Sequence, residues 1–164
     1  MIALVRVDNR LLHGQILETW VPKLAIGEVV VADDEAAASD LARAAMMLCV
    51  PPELPARILP VAEAPWAKLA EARARVLVLL RDPGALAAAH AGGLLPSLAP
   101  RVNLGNMHFA PGRRPVTPSV FLGDEELDVL RRLAAAGFEI EARAIPSEHP
   151  AGMGEIERRY AAAP

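Results

Sequence analysis

Five short runs of branched apolar residues recur along the chain: IALVRV at 2–7, EVVVA at 28–32, ARILPV at 56–61, RVLVLL at 75–80 and RVNLG at 101–105. Between them the apolar positions fall at helical rather than strand spacing. Ile16, Leu17, Trp20, Val21 and Leu24 make one stripe, and DDEAAASDLARAAMML opens with acidic residues where a helix dipole favours them. Strand and helix in strict alternation require crossover connections, which a parallel sheet accommodates with helices on both faces. The expected fold is therefore α/β: an open, mostly parallel twisted sheet in a three-layer α/β/α sandwich. Pro60 places the third strand near an edge.

Further helices are expected over 63–73, from Asp82-Pro83 to Gly92-Gly93, over 124–137 with Asp124 as its cap, and around 155–162. Residues 106–123 are too polar and proline-broken for a core element and read as a long loop with an irregular strand late in it. FEIEARAI, 138–145, alternates apolar and polar residues and is expected as an antiparallel edge strand. With 164 residues and no repeat or linker, residues 1–164 are expected to form a single domain.

Composition narrows the function classes. A net charge of −3 and a sequence pI near 5.8 argue against a general nucleic-acid binder. No apolar run approaches the ~18 residues of a membrane span, so a cytoplasmic protein without direct membrane insertion is expected. The lone Cys49 forms no internal disulfide and is expected to be a buried, inert thiol. There is no G-x-x-x-x-G-K-[ST], no G-x-G-x-x-G and no H-E-x-x-H, which leaves nucleotide and zinc-hydrolase readings without their fingerprints. No metal or cofactor is expected.

The first strand runs into DNRLLHGQ, which carries far more charge than a turn needs. In open α/β sheets ligands bind beyond the carboxyl ends of the strands, and a helix amino terminus there favours an anion. Arg10 offers a fork of donors suited to phosphate or carboxylate, Arg6 is near enough to join it, and Gly14 leaves room for a close approach. His13 is the side chain of this group that can act as a neutral nitrogen nucleophile near pH 7, with Asp8 accepting a proton from one ring nitrogen. These ingredients fit reversible phosphorylation of a histidine; the alternative is a capping loop whose histidine packs on the fold. A histidine-phosphatase reading fails because Leu12, not arginine, precedes His13-Gly14.

VRVDNRLLHGQILETW resembles the amino-terminal motif of the enzyme IIB components of the mannose/fructose/sorbose class of the bacterial sugar phosphotransferase system. VVVADDEAA, VNLGNMHFAPGRR and FLGDEELDVLRRLAAAGFEIEARAIPSEHP resemble later segments of the same family. Asn106 stands where the family often has a second glycine, and residues 51–98 are only loosely similar. The resemblance implies a phosphocarrier, a transferase of EC 2.7.1 type, in which His13 accepts phosphate from a phosphorylated IIA protein or domain. The phosphate would pass to a sugar held by the membrane components IIC and IID.

On this reading Arg10 binds phosphoryl oxygens, Asp8 orients the imidazole, and Arg6, Gly14 and Gln15 contribute to phosphate binding. Asp33 borders the crevice or caps the helix that follows, and His108, Arg113 and Arg114 border the crevice or dock a partner. A homo-oligomer is compatible with the sequence. Two other functions fit the same residues: a regulatory phosphoacceptor without transport, and an α/β domain that binds anions without a covalent step.

Overall fold

A computed structural model describes residues 1–164. The chain runs β1 (Ile2–Asp8), a π-helical turn (Ile16–Trp20) continuing into α1 (Val21–Lys23), β2 (Glu28–Ala32), α2 (Asp34–Ala38), α3 (Asp40–Met47) and β3 (Ala56–Leu59). A 3-10 turn (Val61–Glu63) leads to α4 (Trp66–Glu71), β4 (Val76–Leu80), α5 (Pro83–Ala91) and β5 (Arg101–Asn106). Then follow β6 (Arg114–Thr117), β7 (Val120–Leu122), α6 (Asp124–Ala135), β8 (Glu139–Ala142), β9 (Ala151–Gly152) and α7 (Met153–Ala162).

Seven strands form one sheet in the order β3-β2-β4-β1-β5-β8-β9. All pair in parallel except β9, which is antiparallel to β8. The strands are apolar on both sides because both sides pack: β4 is buried at every residue. One face carries the larger core, where Val5, Val7, Val30, Val78 and Leu104 meet Trp66, Leu86, Leu130 and Ile156. The other carries a smaller one, where Leu4, Val29, Val31, Leu77 and Leu79 meet Leu11, Ile16, Trp20 and Ala36. Connections that move toward β3 lie on the smaller-core face and those that move toward β9 on the larger, the arrangement right-handed crossovers demand. β1 sends its chain one way and its neighbour β5 the other, so the topological switch point falls at their carboxyl ends.

Several expectations are corrected. The segment at 138–145 supplies a parallel strand, β8, and the antiparallel edge is the two-residue β9. Its alternation arises because no helix covers β8 on the smaller-core side: Ile140 and Ala142 are buried while Glu139 and Glu141 face the open side. The helix expected over 33–48 breaks at Ser39, which is extended and whose hydroxyl accepts from the Ala42 N–H to start α3. Helix α6 is capped not by Asp124 but at Gly123, whose N–H donates to Glu126; Asp124 instead accepts the Tyr160 hydroxyl at 2.7 Å. The late irregular strand in 106–123 is a small antiparallel hairpin, β6-β7.

Cys49 is exposed rather than buried. Helix α3 buries none of its residues, and Leu48 beside the thiol is 87% exposed, so the thiol past its end is open to solvent. Trp20 is core, as its stripe predicts. Leu86 on α5 is wholly buried under the sheet, so Leu86→Ala is expected to cost about 2–5 kcal/mol of unfolding free energy, measured by urea denaturation.

Candidate functional site

Two backbone devices build the loop after β1. The Asp8 carboxylate accepts the Arg10 N–H at 3.0 Å, an Asx turn, and the Leu11 N–H closes on the Asp8 carbonyl at 2.9 Å. Leu11 takes φ +56°, a left-handed conformation unusual for a branched side chain and costing about 1–2 kcal/mol. Burial of Leu11 and Leu12 in the smaller core offsets that cost. The reversal turns both leucines inward, leaves Arg10 and His13 at the rim, and starts the helix with the Ile16 and Leu17 N–H groups on the His13 carbonyl. The N–H groups of Leu12, His13, Gly14 and Gln15 have no acceptor within the protein. Free N–H donors at a helix start favour an anion.

Asp8 is the hub. It is fully buried and accepts from Arg6 Nη2 at 2.9 Å, Arg6 Nε at 3.3 Å and His13 Nε2 at 3.2 Å, while Arg10 Nε lies 3.6 Å away. Burial pushes the Asp8 carboxyl up, but the His13 hydrogen bond, the Arg6 charge and the Arg10 N–H together hold it below the ordinary carboxylate range. An ionised carboxylate can only accept, so its contact with His13 Nε2 favours the tautomer with the ring proton on that nitrogen. Nδ1 then has a free lone pair and no partner within the chain. The His13 side chain is 18% exposed, and the only buried side-chain nitrogen or oxygen without a partner is Trp66 Nε1, so Nδ1 reaches solvent.

The other residues of interest divide. Arg10 is half exposed, with Nη2 donating to Gln15 Oε1 at 3.1 Å, so these two share the rim with His13. Gly14 is exposed, and a side chain there would meet nothing within 4 Å; the space it leaves faces outward rather than toward a crowded backbone. Arg6 departs from the expected phosphate contact. It is wholly buried, with its donors directed at Asp8, Asn103 and the Arg143 carbonyl, so it acts behind the site. Burial lowers its pKa and Asp8 pulls it back; it remains a cation at neutral pH.

Asp33 is not open to a partner: it caps α2 through the Ala36 N–H and takes a two-pronged pair from Arg81 at 2.8 and 2.6 Å. The His108 N–H donates to Asn9 Oδ1 at 2.6 Å, which ties the loop after β5 to the His13 loop. Arg113 is paired with Glu126, and Arg114 stacks over Tyr160 at 5.0 Å, so neither is tied to His13. Arg81, Asn103, Gly105 and Phe109 were not legible in the sequence. Phe109, 66% exposed, follows His108 on the loop that Asn9 holds; an aromatic ring in a polar, proline-broken segment is its only signal.

None of the main clefts is lined by His13 or Arg10; one of about 350 Å³ lies instead between Trp20, Leu24, Arg101, Glu139 and Arg143. A nucleophile on an open rim suits a macromolecular donor better than an enclosed small molecule. Two guanidinium groups against one carboxylate leave a local excess of one positive charge.

Because the folded Asp8 pKa lies below its unfolded value, its contribution to stability is complete above about pH 4 and fades as the pH falls through the folded value. Asp8→Asn is therefore expected to cost about 3 kcal/mol at pH 7, with the buried Arg6 left uncompensated. That difference from the native protein narrows in acid, as unfolding curves taken between pH 7 and pH 3 will show.

Residues 2–161 match the family model described as "PTS system sorbose subfamily IIB component". The mannose-specific EIIAB component of Escherichia coli K12 is 27% identical over 158 residues, 95% of this chain and 48% of that protein, so the chain spans about half the length of the curated relative it matches. The fructose-specific EIIB component of Bacillus subtilis is 26% identical, with 96% of each chain covered. Among solved structures, the N-acetylgalactosamine-specific IIB component 1 of Escherichia coli superposes with a TM-score of 0.82 at 27% identity, covering 92% of this chain and 97% of that one. With its model matched over nearly the full length and its fold shared, the chain belongs to the sorbose-subfamily IIB components of the phosphotransferase system.

Proposed function

We propose that this chain is a phosphocarrier that takes a phosphoryl group on His13 Nδ1 from the phosphohistidine of a IIA protein and passes it to a sugar held by IIC and IID membrane components. The observation that carries the reading is the His13 ring itself, with Nε2 on buried Asp8 and an unpartnered Nδ1 reaching solvent beside Arg10. In the first step the Nδ1 lone pair attacks phosphorus, the new N–P bond forms, and the N–P bond to the donor imidazole breaks. The Nε2 proton stays where it is, so positive charge that develops on the ring is met by Asp8. In the second step a sugar hydroxyl attacks phosphorus, the N–P bond to His13 breaks, and the hydroxyl proton leaves to solvent or a base on the permease.

Phosphoryl transfer asks the protein for position and for positive charge around the equatorial oxygens. Arg10 supplies the charge, and the unpaired N–H groups from Leu12 to Gln15 add neutral donors. The loops around His13 support docking of an acidic donor surface: Arg10 brings a cation, His108 a titratable group, and Phe109, exposed next to His108, an apolar anchor. No helix is long and apolar enough to cross a membrane.

Incubation with phosphoenolpyruvate, enzyme I, the carrier HPr and a cognate IIA is expected to add one acid-labile phosphoryl group by mass, absent in His13→Ala. A protein that never gains that mass contradicts the reading. Arg10→Ala is expected to keep the fold and slow transfer about 10²–10³-fold in a rapid-quench assay. Phe109→Ser is expected to raise the KM for phosphorylated IIA about tenfold while leaving the rate at saturation nearly unchanged.

A further inference from the structure

Behind the His13 rim, the smaller-core face of β1, β5 and β8 has no helix beyond the π turn and α1, and a row of charged and polar side chains crosses it. Arg6 lies directly opposite Asn103 in the β1–β5 register, and Asn103 lies opposite Glu141 in the β5–β8 register. Arg6 Nη1 donates to Asn103 Oδ1 at 2.5 Å, Asn103 Nδ2 donates to the Arg143 carbonyl at 3.2 Å, and Arg143 Nε donates to Glu141 at 2.8 Å. The Trp20 ring closes over the row, with the Arg6 and Arg143 guanidinium carbons 5.2 and 5.3 Å from its centroid and Nε1 bonded to the Ala144 carbonyl at 3.0 Å.

Gly105 makes this packing feasible. A side chain there would begin 1.9 Å from the Arg6 guanidinium carbon, so the arginine occupies the volume that any other residue would fill. The β1–β5 register skips Gly105 between Leu104 and Asn106, a bulge that opens the seat beside Asp8. An arginine walled in on every side is an expensive feature to retain for packing alone. Its one charged partner is Asp8, and the oxygen it binds with Nε and Nη2 is the same Oδ2 that receives His13 Nε2.

We propose that Arg6, seated by Asn103, Gly105 and Trp20, is a positioning residue that acts through Asp8 to keep the His13 proton on Nε2 and so leave Nδ1 as the nitrogen that takes the phosphoryl group. The proposal rests on the phosphoacceptor reading of His13 and deepens it. Arg6 fixes the orientation of the carboxylate and keeps it ionised, and an ionised Oδ2 aimed at Nε2 admits only the tautomer with the proton there. With the guanidinium removed or displaced, Asp8 loses both its anchor and its counter-charge.

The test uses the full-length, unphosphorylated chain labelled with ¹⁵N and ¹³C. In the native protein, long-range proton–nitrogen spectra near pH 8 are expected to show His13 as the Nε2–H tautomer with an exchange-protected Nε2 proton. Arg6→Gln and Gly105→Ala are expected to lose that protection and to move the Asp8 carboxyl titration to higher pH, and transfer from phosphorylated IIA slows at least tenfold at saturation. Arg6→Lys restores a charge without the fork and is expected to recover part of the Asp8 titration. A native spectrum with the proton on Nδ1 overturns the proposal, as does a folded Arg6→Gln with unchanged proton protection and unchanged Asp8 titration. Should both substitutions prevent folding, Asn103→Ala and the native spectrum decide. A native protein with the Nε2–H signature that accepts no phosphoryl group overturns the phosphocarrier reading, a failure distinct from one in the placement of the proton.

Discussion

A guanidinium and a carboxylate stand two residues apart on one side of a central strand, both shut away from water, and the site is organised around that pair. Neither Arg6 nor Asp8 is tolerable in that interior alone. Together they hold the carboxylate at a fixed angle at the end of β1, where the chain must reverse. Asp8 then serves three purposes with two oxygens: it anchors the Arg10 N–H of the turn, neutralises Arg6 and faces the His13 ring. Loop geometry and imidazole orientation thus have a common origin, and the ring is held without being sealed.

The sheet explains why that pair fits where it does. Towards β3, both faces are covered and the strands are apolar throughout. Towards β9, the smaller-core face has only Trp20 and its π turn as cover, so polar side chains on β1, β5 and β8 can lie flat beneath an indole. A π turn is a departure from ideal helix geometry that recurs at functional sites. Here it ends on the tryptophan that lies over Arg6. Leu11 in its left-handed conformation is a second local departure, held by the burial of its side chain. Both irregularities flank His13, which is where a fold that is otherwise regular has reason to accept strain.

Much of this was legible from the chain. Periodicity set the alternation of strand and helix, proline put β3 at the edge, and charge density in DNRLLHG singled out the loop with His13, Arg10 and Asp8. The misreadings share a cause. The alternation in 138–145 suggests an antiparallel strand but reports one open face, and the expected burial of Cys49 fails because α3 packs with none of its residues buried. Chain proximity makes Arg6 look like a phosphate ligand, because proximity does not tell which way a strand residue points relative to its neighbours.

By itself the sequence determined which elements form, their order, the switch-point loop and the chemistry of the side chains in it, since those follow from local propensity, periodicity and residue type. Only the tertiary structure decided that Arg6 turns inward, that Asn103 and Gly105, nearly a hundred residues away, make its seat, and that Asp33 is occupied by Arg81. These depend on strand register and on which face a helix covers, and both are fixed by contacts between segments distant in the chain.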